Sequence, residues 1–265
     1  MRNEKAEVET MARVILSGCS GRMGRVITQL CGEDDQLTIV AGVDVIRPDT
    51  PVNYPVYDSF EKCPEADVII DFSSPKAFDH LIAYVRTTKI PAVVCTTGLS
   101  QEQIRALEET AKEAAMLRSA NMSLGVNLLM KVLSQAAPVL AKAGFDIEIV
   151  EKHHNKKKDA PSGTAIALAD SINKAMDDRY SYVYGRSDVF RERGKEELGI
   201  SAVRAGNIPG EHEVIFAGTD EVLTFKHTAY SRAIFGKGAL AAAAFLAGKC
   251  PGMYTMADVI EAGNE

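Results

Sequence analysis

Three glycines, Gly18, Gly21 and Gly24, lie between a short apolar segment and an amphipathic segment. This pattern predicts a tight turn between a strand and a helix, where backbone N–H groups and the helix dipole can bind a pyrophosphate. Asp44 follows Gly24 by 20 residues, at the end of the next apolar segment. An acid at that place accepts hydrogen bonds from ribose hydroxyls. The spacing predicts a dinucleotide site, although G-x-x-G-x-x-G differs from the commoner G-x-G-x-x-G, and a plain turn is the alternative.

The residues around Asp44 bear on which dinucleotide the site prefers. A carboxylate repels a 2′-phosphate and accepts a hydrogen bond from a free 2′-hydroxyl, which favours NADH over NADPH. Val45 next to it carries no charge, whereas Arg47 is close enough to leave NADPH open. Phe72, Thr96–Thr97 and Ser119–Met122 follow later predicted strands, and ligands of open α/β sheets bind at such strand ends.

A second chemical segment covers residues 151–164, with the sequence EKHHNKKKDAPSGT. Adjacent histidines suggest a metal, but no acid or histidine follows either of them by four residues, as it would on one face of a helix. The lysines would also repel a cation, so we predict no metal. Ser162 is a natural N-cap, and Gly163 and Thr164 would present backbone N–H groups in a first helical turn. Positive charge beside a helix start predicts a site for a small dicarboxylate, and histidine can supply a proton near neutral pH. A solvated charged surface is the alternative.

The elements that would position these residues differ between the two parts of the chain. Apolar segments alternate with helical segments up to about residue 125, which predicts a Rossmann-type parallel sheet covered by helices. Later segments predict a long helix (126–142), a strand (146–152), a helix (162–176) and three consecutive strands, hence an α+β domain with a mixed sheet. The expected fold class is therefore α/β with a second α+β domain. We expect a disordered extension at 1–11, a dinucleotide-binding domain at 12–125 with 237–265, and a substrate-binding and oligomerisation domain at 126–236.

Composition excludes several classes of protein. The chain has 265 residues, 46% of them hydrophobic, and 30 basic against 36 acidic residues give a net charge of −6. This argues against a disordered chain and against nucleic acid as a partner. We see no apolar run of about 18 residues and no secretory signal, so we expect no membrane span. Five widely spaced cysteines indicate reduced thiols and a cytoplasmic location.

Four motifs together resemble one known family. GCSGRMG, EKHHNKKKDAPSGTA, GNIPGEHEVIF and HTAYSR are similar to segments of dihydrodipicolinate reductases, and the resemblance covers about residues 12–262. It implies reduction of 4-hydroxy-tetrahydrodipicolinate to tetrahydrodipicolinate, with loss of water, in diaminopimelate and lysine biosynthesis. It also implies NADH or NADPH as the cofactor, a Rossmann domain, and a substrate domain whose mixed sheet assembles a homotetramer.

The resemblance assigns roles by position. His153 resembles the proton donor or acceptor and Lys157 the second catalytic group. His154 resembles a substrate contact, and Ser162, Gly163 and Thr164 resemble a cradle for a substrate carboxylate. The expected cofactor contacts are Gly18, Cys19, Ser20, Gly21, Arg22, Met23, Asp44, Phe72, Cys95, Thr96, Thr97, Ser119, Ala120, Asn121 and Met122.

Two other functions remain as alternatives. One is a different NAD-dependent dehydrogenase of amino-acid metabolism, which would not depend on residues 151–164. The other is a non-enzymatic NAD-binding sensor, in which residues 151–164 would dock a protein.

Overall fold

Seven strands, all paired in parallel, form the sheet of the first part of the chain. The computed structural model describes residues 11–187 and 190–263. The strands are β1 (Ala12–Ser17), β2 (Leu37–Val43), β3 (Val56–Tyr57), β4 (Val68–Asp71), β5 (Ala92–Val94), β6 (Ala115–Arg118) and β12 (Gly252–Tyr254). Their order in the sheet is β12-β6-β5-β4-β1-β2-β3. The predicted Rossmann-type sheet is thus confirmed.

Helices cover both faces of this parallel sheet, and each face has its own apolar core. The helices are α1 (Arg22–Cys31), α2 (Phe78–Thr88), α3 (Gln101–Thr110), α6 (Ala233–Leu246) and α7 (Met256–Ala262), with a 3₁₀ turn at Phe60–Lys62. The small residues of α6 let it pack closely on α1, where a Cβ added at Gly236 would lie 2.7 Å from Leu30.

A five-stranded sheet forms the second part of the chain. Its elements are α4 (Leu124–Lys142), β7 (Asp146–His153), α5 (Gly163–Lys174), β8 (Ser181–Tyr184), β9 (Glu197–Arg204), β10 (Glu211–Ala217) and β11 (Val222–Thr228). The strand order is β11-β10-β7-β9-β8. Strand β7 is parallel to β9 and antiparallel to β10, so the predicted mixed sheet is confirmed.

Side chains alternate strictly along β7. Ile147 and Ile149 are fully buried in the core with α4 and α5, and Glu151 and His153 follow on the same side of the strand. Lys152, between them, must point to the opposite face because successive residues of a strand alternate. The first side chains of the segment 151–164 therefore point to different faces of the sheet, Glu151 and His153 to one and Lys152 to the other.

Contacts divide the chain into two units. One reaches Ser123 and resumes at Arg232, and the other is Leu124–Ser231. The expected boundaries after 125 and 236 lie slightly further along the chain, and the roles assigned to the two domains remain predictions. The extension expected at 1–11 falls almost wholly on residues 1–10, which lie outside the described residues.

Helix α4 is long and apolar enough, by length and mean hydropathy alone, to cross a membrane. In the structure it packs along α5 and contributes Leu133 and Ala137 to the core of the second unit. Valine and leucine side chains on its other side are exposed, with Val139 at 69%. The absence of a membrane partner remains a prediction.

Several element boundaries differ from the sequence prediction. The helix predicted at 126–142 begins at Leu124, and the helix predicted at 162–176 ends at Lys174. Ser100 and Gln103 form a capping box at the start of α3, which ends at Thr110. Ala115 begins β6, whose residues Met116, Leu117 and Arg118 pair with β5. The short strands β3, β8 and β12 were not predicted, since two to four residues show no readable alternation.

Candidate active site

The turn after β1 requires glycine at two positions. Gly18 has φ of +75°, and a Cβ there would lie 2.5 Å from the carbonyl oxygen of Phe72. A Cβ at Gly24 would lie 2.4 Å from the carbonyl oxygens of Gly18 and Cys19. This close packing brings the first turn of α1 to the carboxyl end of β1, where its N–H groups can face an anion. The residues present fit the pyrophosphate of a dinucleotide.

Asp44 fastens the glycine-rich turn to the loop after β2. Its carboxylate accepts hydrogen bonds from the backbone N–H groups of Ser20 and Ile46, both at 3.0 Å. The Ser20 hydroxyl in turn donates to the carbonyl oxygen of Ile46 at 2.5 Å. The expected ribose acid is therefore held in a fixed position at the end of β2.

One cavity of about 420 Å³ lies at the carboxyl edge of the parallel sheet. Nine expected cofactor contacts line it: Arg22, Met23, Phe72, Cys95, Thr96, Thr97, Ser119, Ala120 and Met122. Ser73 and Phe235 line it as well and were missed. Below it, the buried Asp71 accepts hydrogen bonds from the Thr96 hydroxyl at 2.6 Å and from the Ser73 N–H at 3.3 Å. Asp71 thus fixes two of the loops that line the cavity.

A second cavity of about 470 Å³ shares Phe72 and Ser73 with the first. Gly18, Gly21 and Asp44 line it, as expected for cofactor contacts. Val45, considered above for the choice of cofactor, lines it as well. The remaining lining residues were not among the expected contacts: Ser17, Val43, Ile46, Asp58, Ser59, Phe60, Glu61, Ser73, Ser74, Ala77 and His80. Two adjoining cavities match the two halves of a dinucleotide.

Cys19, Ser20 and Asn121 line neither cavity. Cys19 is 1% exposed, and its Sγ would lie 2.6 Å from a Cβ at Gly42, so its side chain is core. Burial raises the pKa of this thiol, which keeps it protonated. The Cys19 side chain therefore packs in the core, and contact of this residue with the cofactor remains a prediction.

The second unit collects charged groups around one buried carboxylate. Glu151 is fully buried, and its Oε2 lies 2.6 Å from Nδ1 of His153. Its Oε1 accepts the backbone N–H of Ser162 at 2.9 Å. Arg204 donates to both carboxylate oxygens, at 2.8 and 2.7 Å. Expected site residues His153 and Ser162 are thus joined through Glu151.

Ser162 begins α5 as predicted. Its Oγ accepts the N–H of Ala165 at 3.1 Å, and it lies 2.9 Å from Nε2 of His212. The His153 and His212 rings are 5.2 Å apart between centroids, and His227 lies 6.2 Å beyond His212. Gly163 and Thr164 form the first turn of α5.

The lysines of the segment separate. Lys157 lies in the loop that follows β7 and forms an ion pair with Asp159 at 3.0 Å. Lys152 instead pairs with Glu213 at 3.0 Å and Glu211 at 3.6 Å on the opposite face of the sheet. Lys152 therefore does not contribute to the positive charge beside the start of α5, because strand alternation turns its side chain to the other face. His154 is half-buried beside this loop.

The pKa values of the buried groups show how charge is distributed. Burial would raise the pKa of Glu151, but hydrogen bonds from Arg204, His153 and Ser162 outweigh it and lower the pKa, so the carboxylate is ionised. Burial lowers the pKa of His153 despite the hydrogen bond to Glu151, which acts the other way. Burial, with His153 and His227 nearby, lowers the pKa of His212 to about 4. Neutral imidazoles therefore lie beside an ionised carboxylate.

Sequence reasoning missed Glu151, Arg204, His212 and His227 as members of this cluster. Strand pairing brings them together: His212 lies opposite Glu151 and His227, and Arg204 lies opposite His153. Alternation along β7 was the one available signal, since it places Glu151 on the same face as His153. Within residues 11–187 and 190–263, no group of three histidine, cysteine or acidic side chains is placed to hold a metal.

A Rossmann-type sheet with a glycine-rich turn, and adjoining cavities at its carboxyl edge, is typical of oxidoreductases that bind a nicotinamide dinucleotide. Two family models match the chain: "Dihydrodipicolinate reductase, N-terminus" over residues 12–122 and "Dihydrodipicolinate reductase, C-terminus" over residues 125–260. The chain belongs to the dihydrodipicolinate reductase family, which confirms the resemblance of its motifs.

Relatives and a solved structure agree with this assignment. A 4-hydroxy-tetrahydrodipicolinate reductase from Caldanaerobacter subterraneus subsp. tengcongensis is 51% identical over 254 residues, which cover 96% of this chain and 100% of that protein. One from Clostridium novyi is 46% identical, with coverage of 96% and 100%. The dipicolinate-bound dihydrodipicolinate reductase from Paenisporosarcina sp. TG-14 shares the fold, with a TM-score of 0.79, 24% identity and coverage of 93% and 98%.

Proposed function

We propose that this chain reduces 4-hydroxy-tetrahydrodipicolinate to tetrahydrodipicolinate, with loss of water, in diaminopimelate and lysine biosynthesis. The observation that carries the proposal is the hydrogen-bonded set of His153, Glu151 and Ser162 at the start of α5. It connects a side chain that can donate or accept a proton with the N-terminus of a helix that can bind a carboxylate. Both are needed to reduce a cyclic dicarboxylate.

The substrate carboxylates are bound by the residues around the start of α5. Gly163 is exposed, and a Cβ added there would meet none of the described atoms within 4 Å, so a ligand can approach the backbone closely. The helix dipole favours an anion at this end. Lys157 adds a full positive charge, and His154, Ser162 and Thr164 complete the set. The dipicolinate bound to the Paenisporosarcina relative is itself a dicarboxylate.

His153 moves the proton. Its Nδ1 lies 2.6 Å from Oε2 of Glu151, so Nε2 is the ring nitrogen left to face the substrate. A lowered pKa keeps the ring mostly neutral near pH 7 and makes its protonated form a stronger proton donor to the substrate. Lys157 stabilises negative charge that develops on the substrate.

The nicotinamide dinucleotide supplies the hydride when it is bound. We propose NADH in preference to NADPH, although either fits the glycine-rich turn. Three carboxylates, Asp44, Asp58 and Glu61, line the second cavity, and no lysine or arginine is among its described lining residues. A 2′-phosphate would meet repulsion there, whereas a 2′-hydroxyl can donate to Asp44.

We further propose a cytoplasmic homotetramer assembled through the second sheet. The face opposite α4 and α5 carries exposed apolar side chains such as Val222 at 63% and Val203 at 41%. It also carries the pairs of Lys152 and Lys226 with Glu211 and Glu213. Light scattering tests this assembly, which predicts four times the chain mass of 28.6 kDa.

A cofactor-oxidation assay tests the reaction. The substrate is generated in the cuvette by condensing pyruvate with aspartate semialdehyde, and NADH and NADPH are compared at equal concentrations. We expect turnover with both and higher kcat/KM with NADH. Absence of turnover with either would refute the proposed reaction. Turnover of other amino-acid substrates without this one would favour the alternative dehydrogenase, and cofactor binding without any oxidation would favour the sensor.

A further inference from the structure

Among the described residues of the second unit, Glu151 is the most completely buried charged one, and neither the proposed proton transfer nor carboxylate binding uses it directly. An ionised carboxylate without partners costs several kcal/mol to bury. Here four donors surround it: Nδ1 of His153, the N–H of Ser162 and both terminal nitrogens of Arg204. Both oxygens of the Glu151 carboxylate therefore accept hydrogen bonds, which offsets the cost of burying its charge.

Arg204 is the partner that keeps this charge in place. Its guanidinium binds both oxygens in a two-pronged arrangement, the strongest geometry for such a pair. The same guanidinium donates to the carbonyl oxygen of Asp159 at 2.6 Å. Arg204, at the end of β9, therefore connects Glu151 of β7 to the loop that carries Lys157.

The ring of His153 has two different sides as a result. Nδ1 faces the carboxylate of Glu151, and Nε2 faces Gly210, where an added Cβ would come within 3.1 Å of that nitrogen. Glycine at 210 leaves the space beside Nε2 open. An ionised carboxylate accepts but cannot donate, so the proton on the neutral ring must be on Nδ1.

We propose that Glu151, held by Arg204, is a positioning residue that fixes His153 in the Nδ1–H tautomer and leaves Nε2 as its only site of proton exchange. The same carboxylate sets the start of α5 through Ser162, so one buried charge aligns the proton-transfer group with the carboxylate cradle. The inference rests on the proposed function for its catalytic meaning. Its structural content, the tautomer of His153, does not depend on turnover.

The tautomer is measured by ¹⁵N NMR of protein labelled at histidine. The chain has five histidines, and His153→Gln assigns one ring by the loss of its signals. In the wild type we expect the His153 ring to show a protonated Nδ1 and an unprotonated Nε2. In Glu151→Gln the amide can donate to Nδ1, so we expect a shift toward the Nε2–H form. Retention of a full Nδ1–H signal in that variant would overturn the proposal.

A double-mutant cycle gives the kinetic test. We expect Glu151→Gln to lower kcat by about 10²-fold, within the range of general acid–base contributions. Because Glu151 acts through His153, adding Glu151→Gln to His153→Gln should change kcat less than about 3-fold. Multiplicative losses would instead show a separate structural effect and would overturn the positioning role. Cofactor affinity should not change in any of these variants.

Two further variants provide a control and a fallback for these measurements. Glu148→Gln makes the same substitution on the opposite face of β7 and should leave the His153 tautomer and kcat unchanged. If Glu151→Gln does not fold, Glu151→Asp keeps the charge beside Arg204 but shortens the side chain, and it should lower kcat and the Nδ1–H fraction by smaller amounts. An unchanged tautomer in Glu151→Asp would then count against the proposal. Failure of the wild type to turn over the substrate refutes the proposed function alone.

Discussion

Nε2 of His212 on β10 lies 2.9 Å from Oγ of Ser162, which links this strand of the second sheet to the N-cap of α5. His212 is 4% exposed and stacks edge-on against His153. The folded chain thus holds a neutral imidazole under the carboxylate cradle. Its neutrality makes the stability of the second unit sensitive to acid.

We expect stability to fall as pH drops from about 6.5 to about 4. Folding lowers the pKa of His212 to about 4 from its ordinary value of 6.5. As pH falls, the unfolded chain therefore binds the proton first and is stabilised relative to the folded chain, so the free energy of unfolding decreases. Between pH 7 and pH 5 this amounts to at most about 2 kcal/mol. Urea unfolding at both pH values, for the wild type and His212→Gln, measures it. An equal pH dependence in the two proteins would contradict the assignment.

Removing either proposed catalytic group should reduce turnover without affecting the dinucleotide. We expect His153→Gln and Lys157→Ala each to lower kcat by roughly 10²–10⁴-fold, as is typical of general acid–base and electrostatic groups. NADH affinity, measured by fluorescence titration, should remain within about 2-fold, because the glycine-rich turn and both cavities are built from residues of the first unit. Near-normal turnover in both variants would exclude this site.

A single methyl group should distinguish substrate binding from folding. Gly163→Ala adds a Cβ where the described chain leaves open space, so stability should be unchanged or increased by up to about 1 kcal/mol. If a substrate carboxylate lies against this backbone, KM for the substrate should rise about 10-fold or more, since a charge-assisted hydrogen bond is weakened.

Gly32→Ala is the matched control for that experiment. Gly32 has φ of −68° after α1, and an added Cβ would make only ordinary contacts there. Its substitution should leave KM unchanged. An unaltered KM in Gly163→Ala as well would remove Gly163 from the substrate site.

Cofactor preference should respond to charge beside Asp44. Val45 lines the second cavity and is 88% exposed, so Val45→Arg places a cation where a 2′-phosphate would lie without disturbing the core. We expect kcat/KM for NADPH to rise about 10-fold, comparable with one charge-assisted hydrogen bond, with little change for NADH. Val139→Arg on α4 adds the same charge outside the cavity and should have no such effect. A wild-type preference for NADPH would contradict the role given to the acidic lining.

The glycine-rich turn and the two sheet types were predictable because their causes are local. Gly18 needs a positive φ and a close approach, and the alternation of apolar and helical segments determines a parallel sheet. The start of α5 was likewise predictable, since Ser162 is an N-cap by its chemistry and by its place before a helical segment.

The members of the buried cluster could not be predicted in this way. Arg204 and His212 reach Glu151 only because β9 and β10 flank β7 in a particular register. Register is determined by packing over the whole sheet, and no local pattern of residues encodes which cross-strand neighbours will meet. The hydrogen bond between Asp71, the last residue of β4, and Thr96, in the loop after β5, likewise depends on how these two strands pair.

Because side chains alternate along β7, whether a residue number is odd or even decides which face of the sheet its side chain is on. Odd-numbered Glu151 and His153 face the buried side, and even-numbered Lys152 faces the other. Deleting one residue from the first half of the strand would keep every functional side chain in the chain but exchange the two faces. Lysine would then enter the position of the carboxylate, and the imidazole would move to the outer surface. Substitutions at these positions can be graded in effect, whereas a change of strand length by one residue abolishes the whole arrangement at once.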